Sequence, residues 1–67
     1  MLIRDFLQWI DSQKGGAQYV AYAEPLCREG VDDTSTLALF DLQQLMDCGV
    51  KRGHAMVMFE ACKALGA

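Results

Sequence analysis

Apolar residues recur every three or four positions along nearly the whole chain, and the recurrence is cut by glycine at 15–16, 30, 49 and 66. A spacing of three and four puts side chains on one stripe of a helix, whereas a strand needs strict alternation. Runs of β-branched residues are missing and proline occurs once, so nothing favours a sheet. The chain is therefore expected to be all-α, with glycines as the stops between short helices.

The first helix is expected over roughly 3–13, with Ile3, Phe6, Leu7 and Ile10 on its stripe and Trp9 beside them. Gly15-Gly16 ends it, since paired glycines favour a turn. A second helical segment over about 17–29 carries Tyr19, Tyr22, Leu26 and Cys27, but Pro25 lies inside it. Either that helix kinks at the proline or it restarts near Tyr22 to Glu24. Asp32-Asp33-Thr34-Ser35 reads as the capped start of a third helix ending near Leu39. In Asp41-Leu42-Gln43-Gln44 the aspartate and the glutamine three residues on form a capping box, which marks a fourth helix over about 42–48. The last runs from Arg52 to Leu65, with Val50, His54, Met58, Cys62 and Leu65 on one stripe and Phe59 adjoining.

Sixty-seven residues make one domain, 1–67, read here as cut from a longer protein. A chain of this size buries only about 60% of its unfolded surface. Every aromatic and most leucines are needed for that core. None is left to line the several-hundred-Å³ pocket that a cofactor or small-molecule substrate takes, roughly 300–1,000 Å³. No stretch approaches the ~20 apolar residues of a membrane span, and Met1-Leu2-Ile3-Arg4-Asp5 does not read as a signal peptide. Cys27, Cys48 and Cys62 cannot all pair with one another, and no CxxC pair joins His54 to make a zinc site. Buried, reduced thiols in a cytoplasmic or nuclear protein are expected.

The net charge is −3, but it is unevenly spread. Residues 1–50 hold eight acids and three bases, while residues 51–67 hold three bases and one acid.

The ordered set of positions resembles the sterile alpha motif (SAM) domain over nearly the whole chain. Trp9 lies in the first helix, Tyr22 and Leu26 stand four apart in the second, and Val31 follows Gly30. In the stretch 37–50, Phe40, Asp41, Leu45, Cys48, Gly49 and Val50 fall on the family's pattern without a gap, and Gly53-His54 matches the pair that opens its last helix. Three features depart from it: a longer first connection with Gly15-Gly16, a turn from Val50 to Gly53 one residue shorter, and Ala55 where a basic residue is common. The resemblance implies a compact five-helix bundle with a longer C-terminal helix, and a module that binds other SAM domains or its own copies. SAM domains join through an acidic mid-loop face and the start of the last helix. Carried onto this chain, the mid-loop face comprises Glu29, Asp32, Asp33, Asp41, Met46 and Asp47, and the end-helix face Lys51, Arg52, His54, Met56 and Val57.

The same residues admit other readings. His54 has no serine nearby and no third group to orient it, so catalysis is not expected, and Asp32-Asp33 are better read as a helix start, where negative charge is favoured. The turn over 48–54 also resembles a helix-hairpin-helix, whose backbone amides meet phosphates. Excess acid elsewhere in the chain opposes nucleic acid. Head-to-tail self-association is the leading expectation, with hetero-pairing to another SAM domain as the alternative. Two unlike complementary faces on one chain give contacts that run on as filaments or close into rings.

Overall fold

Ile3, Phe6, Leu7 and Ile10 lie along one stripe of a helix spanning Ile3–Lys14 (α1), and all four are buried. The computed structural model describes residues 1–66. Burying a phenylalanine such as Phe6 contributes about 1.5–3 kcal/mol, so this stripe is a main support of a small core. Gly15 ends α1 with φ 79°, a left-handed backbone that only glycine adopts without strain, and its N–H donates to the Asp11 carbonyl.

The second segment restarts rather than kinks. A 3-10 turn over Val20–Tyr22 precedes α2, Ala23–Arg28. Pro25 is the third residue of α2, where a backbone N–H has no partner inside the helix, so its missing donor breaks nothing. The turn forms because both oxygens of Asp11 accept backbone N–H groups, from Tyr19 at 2.8 Å and from Val20 at 3.0 Å. Asp11 is itself buried, on the core side of α1.

The third helix (α3, Thr34–Leu37) is shorter than expected. Leu39 and Phe40 donate three residues back, to Thr36 and Leu37, which tightens the chain out of the helix and leaves Leu39 83% exposed. The fourth (α4, Leu42–Asp47) carries the full capping box: Gln44 N–H donates to the Asp41 carboxylate and Asp41 N–H to the Gln44 side chain. Gly49 (φ 99°) lets the chain turn sharply into α5, Arg52–Ala64. Here α5 packs along α4 and against α1, while α1 also holds the 3-10 turn and α2.

These five helices enclose one core to which every element contributes, and the radius of gyration, 10.3 Å, is near the ~11 Å of a folded chain this long. Among the described residues no helix is long and apolar enough to cross a membrane.

Three expectations need correction. Leu65 is exposed although its phase continues the buried stripe of Met58 and Cys62, because α5 ends at Ala64 and Leu65 is the cap that follows it. Cys27 is exposed, because α2 turns Ala23 and Leu26 inward and the residue next to Leu26 faces out; Cys48 is half-buried and only Cys62 is buried. Trp9 is 37% exposed and covers Phe6 from outside, ring centroids 6.4 Å apart, so not every aromatic belongs to the core.

Candidate functional site

The start of α5 gathers the cations of the end-helix face. Lys51 takes the N-cap position in extended conformation, without a side-chain cap, and no acid stands in the first turn. A helix N-terminus favours anions, so Lys51 and Arg52 weaken the helix they open. Both are exposed, and neither forms a salt bridge among the described residues. Arg28 and Lys63, by contrast, pair with Glu24 and Glu60 on their own helices. Nor do the described hydrogen bonds use the N–H groups of Arg52, Gly53 and His54; the first bond of α5 runs from Ala55 N–H to the Lys51 carbonyl. On the next turn Met56 is 53% exposed, while Val57 is half-buried against the core.

His54 is held differently from its neighbours. Its ring meets Tyr19 edge-on at 4.9 Å and Tyr22 at 5.5 Å, and the Tyr22 hydroxyl bonds to Nδ1 at 2.5 Å. That hydroxyl also accepts a long 3.5 Å bond from Lys51 N–H, and it keeps both its own proton and a second lone pair for the ring nitrogen. His54 thus ties the 3-10 turn to the beginning of α5.

The acids fall into distinct places. Glu29 at the end of α2 and Asp47 at the end of α4 both lie near Cys48: burial first, then these two carboxylates, push its thiol upward. Asp47 also accepts from the Gln43 side chain at 3.0 Å. Asp32 and Asp33 precede α3 and are tied to the beginning of the chain. Ile3 N–H donates to the Asp32 carbonyl and Thr34 N–H to the Met1 carbonyl, both at 2.9 Å, which makes an antiparallel bridge between Leu2 and Asp33. The Asp33 carboxylate accepts from Thr36 N–H, and that of Asp41 is taken up by its capping box. Glu29 and Asp32 are exposed, with no hydrogen bond to their carboxylates among the described residues. Met46 is half-buried and packed on the core.

Sequence reasoning missed the Leu2–Asp33 bridge, the double acceptance at Asp11 and the ring cluster about His54. For Asp11 a signal existed: an acid four residues after Leu7, on the buried side of an apolar stripe, has to find donors nearby.

A shallow groove of ≈ 60 Å³, lined by Leu37, Ala38, Phe59, Cys62 and Lys63, is far below the ~300–1,000 Å³ of small-molecule sites. Among the described residues no three His, Cys, Asp or Glu side chains gather in a way that suits a metal ion.

Comparison with family models, curated proteins and solved structures finds no match to this chain.

The cap at Asp33 gives a pH signature. Its bond from Thr36 N–H holds the carboxyl below the ordinary 3.8. A depressed folded value means that the stabilisation is present above about pH 4 and is lost as pH falls through the lower folded value. Asp33→Ala is therefore expected to melt at lower temperature than the wild type at pH 7, with the gap closing below about pH 4. Thermal melts of both proteins from pH 7 to pH 2 check this, and a gap independent of pH would show that the carboxylate is not the stabilising group.

Proposed function

We propose that this chain is a SAM-type interaction module that associates head to tail, the start of α5 on one copy receiving carboxylates from the acidic segment 29–47 of the next. One observation carries the reading: among the described residues, nothing takes up the first three backbone N–H groups of α5 or pairs with its two exposed opening cations, where its own stability calls for an acid. A partner's carboxylate supplies what the chain withholds from itself. Charge complementarity of this kind governs orientation and encounter rate, while Met56 beside the cations offers apolar area to bury. Lys51, Arg52, Met56 and the edge of Val57 make one face, with His54 as the post that fixes it; Glu29, Asp32 and Asp47 supply carboxylates for the other. Asp33 and Asp41 serve there as helix caps first.

No catalytic role is proposed. Three free thiols suit a reducing compartment, cytoplasmic or nuclear. The unused amides of α5 would also take a phosphate, but Glu29 and Asp47 flank Cys48 just before the same turn and oppose a nucleic-acid backbone.

Sedimentation of Lys51→Glu and Asp32→Lys tests the reading. Asp32 is preferred to Asp33 because its carboxylate caps nothing and its backbone bond survives substitution. The wild type is expected to grow with concentration, each variant alone to stay monomeric, and their mixture to stop at dimers. Assembly is expected to loosen at 1 M salt, where the Debye length falls to about 3 Å. A wild type monomeric at every concentration removes self-association and leaves pairing with another SAM domain.

A further inference from the structure

We infer that Leu2 is the apolar anchor of the acidic face, and that it packs against Met56 of a second copy. The inference rests on the head-to-tail reading above and adds a contact from outside the segment that bears the acids. Sequence position favours Met46 as the anchor, yet Met46 is packed on the core of its own chain. Leu2 is 64% exposed, unusual for a large aliphatic side chain held in place by backbone bonds on both sides.

Its position follows from the bridge. The two bonds, Ile3 N–H to Asp32 and Thr34 N–H to Met1, flank the Leu2–Asp33 pair rather than join it. In antiparallel pairing such a pair has the closer approach, with Cα atoms about 4.5 Å apart and both side chains on one side of the ribbon. Leu2 therefore stands directly beside Asp33, and Asp32, one residue before it in the chain, accepts no hydrogen bond at its carboxylate among the described residues. The arrangement, an exposed aliphatic group beside an acid, mirrors the start of α5, where the exposed Met56 lies one helical turn from Arg52, with Lys51 at the N-cap just before it. Pairing like with unlike across the two faces joins apolar to apolar and acid to base at once, which commits the occupant to another copy of this chain.

Leu2→Ser is the substitution of choice. Leu2 is the N-cap residue of α1 and offers no side-chain cap. Serine is a favoured N-cap, so the variant is expected to keep or gain monomer stability. It is placed in one of two positions within the dimer formed by Lys51→Glu and Asp32→Lys. On the Lys51→Glu copy, whose acidic face is in use, Leu2→Ser is expected to weaken the dimer about tenfold by sedimentation equilibrium. On the Asp32→Lys copy, whose acidic face is idle, it is expected to change nothing. Leu2→Met, which keeps the apolar area, should restore association on the active copy.

Equal affinity with Leu2→Ser in either position overturns the anchor while the mixed dimer itself upholds the head-to-tail reading. Failure of the charge-reversed pair to dimerise at all overturns the reading and the anchor together.

Discussion

Asp11→Ala is expected to destabilise the domain by about 2–4 kcal/mol, since hydrogen bonds to a charged acceptor contribute about 1.5–3 kcal/mol each and the donors left behind are partly shut away from water. For a domain of this length that is a fall in melting temperature on the order of 15 °C. Among the described residues, Asp11 is the only group that accepts two N–H groups from another segment through one side chain, at Tyr19 and Val20. Without it the 3-10 turn loses the reason for its position. Asp11→Asn keeps one acceptor oxygen and should fall between the wild type and alanine. Urea unfolding followed by the emission of Trp9, the single tryptophan, measures all three proteins. A loss below about 0.5 kcal/mol, the size of an ordinary surface substitution, would mean that water replaces the carboxylate at both amides. Because the turn carries Tyr22, which holds His54, the same substitution is expected to loosen the beginning of α5.

Ala55→Arg is expected to be worse, about 3–5 kcal/mol, by overfilling a packed site and burying an unpaired charge. Ala55 is 0% exposed in the first turn of α5. Met56, one residue on, is 53% exposed, and Met56→Arg should stay within about 0.5 kcal/mol of the wild type. Two arginines at adjacent positions thus separate sharply in thermal melts. Similar melting of both would mean that the first turn of α5 sits looser on the core than its burial implies. The comparison bears on the SAM resemblance too. At the position where that family commonly has a basic residue, this chain has a buried methyl group, and its cations stand earlier, at Lys51 and Arg52.

What could be read in the sequence was what neighbouring residues decide among themselves. The Asp41–Gln44 capping box is closed within three residues, and the glycine stops act through their own backbone angles, so both were legible. The stripe of α1 was legible because helical period alone turns Ile3, Phe6, Leu7 and Ile10 to one side. Exposure of Met56 followed from the inward phase of Met58 and Cys62. Leu65 failed on that same phase, because the period says nothing about where the helix stops. The restart ahead of Pro25 depended on Asp11, eight residues before Tyr19 across a turn whose path local preferences do not set. The Leu2–Asp33 bridge is made by backbone atoms distant in sequence and has no side-chain signature at all. For the candidate faces the charges themselves were legible by position. Which carboxylates were already engaged within the fold, and which apolar group stood beside them, required the tertiary arrangement.

The uncapped start of α5 has a consequence for how the protein can be watched. Among the described residues, the backbone protons at Arg52, Gly53 and His54 have no internal acceptors, so they should trade with deuterium faster than those deeper in the same helix. A ligand seated there would slow precisely that trio while leaving Ala55 and its successors unaltered. Three resonances would then serve as a built-in gauge of occupancy, legible in a spectrum without any label attached to the chain.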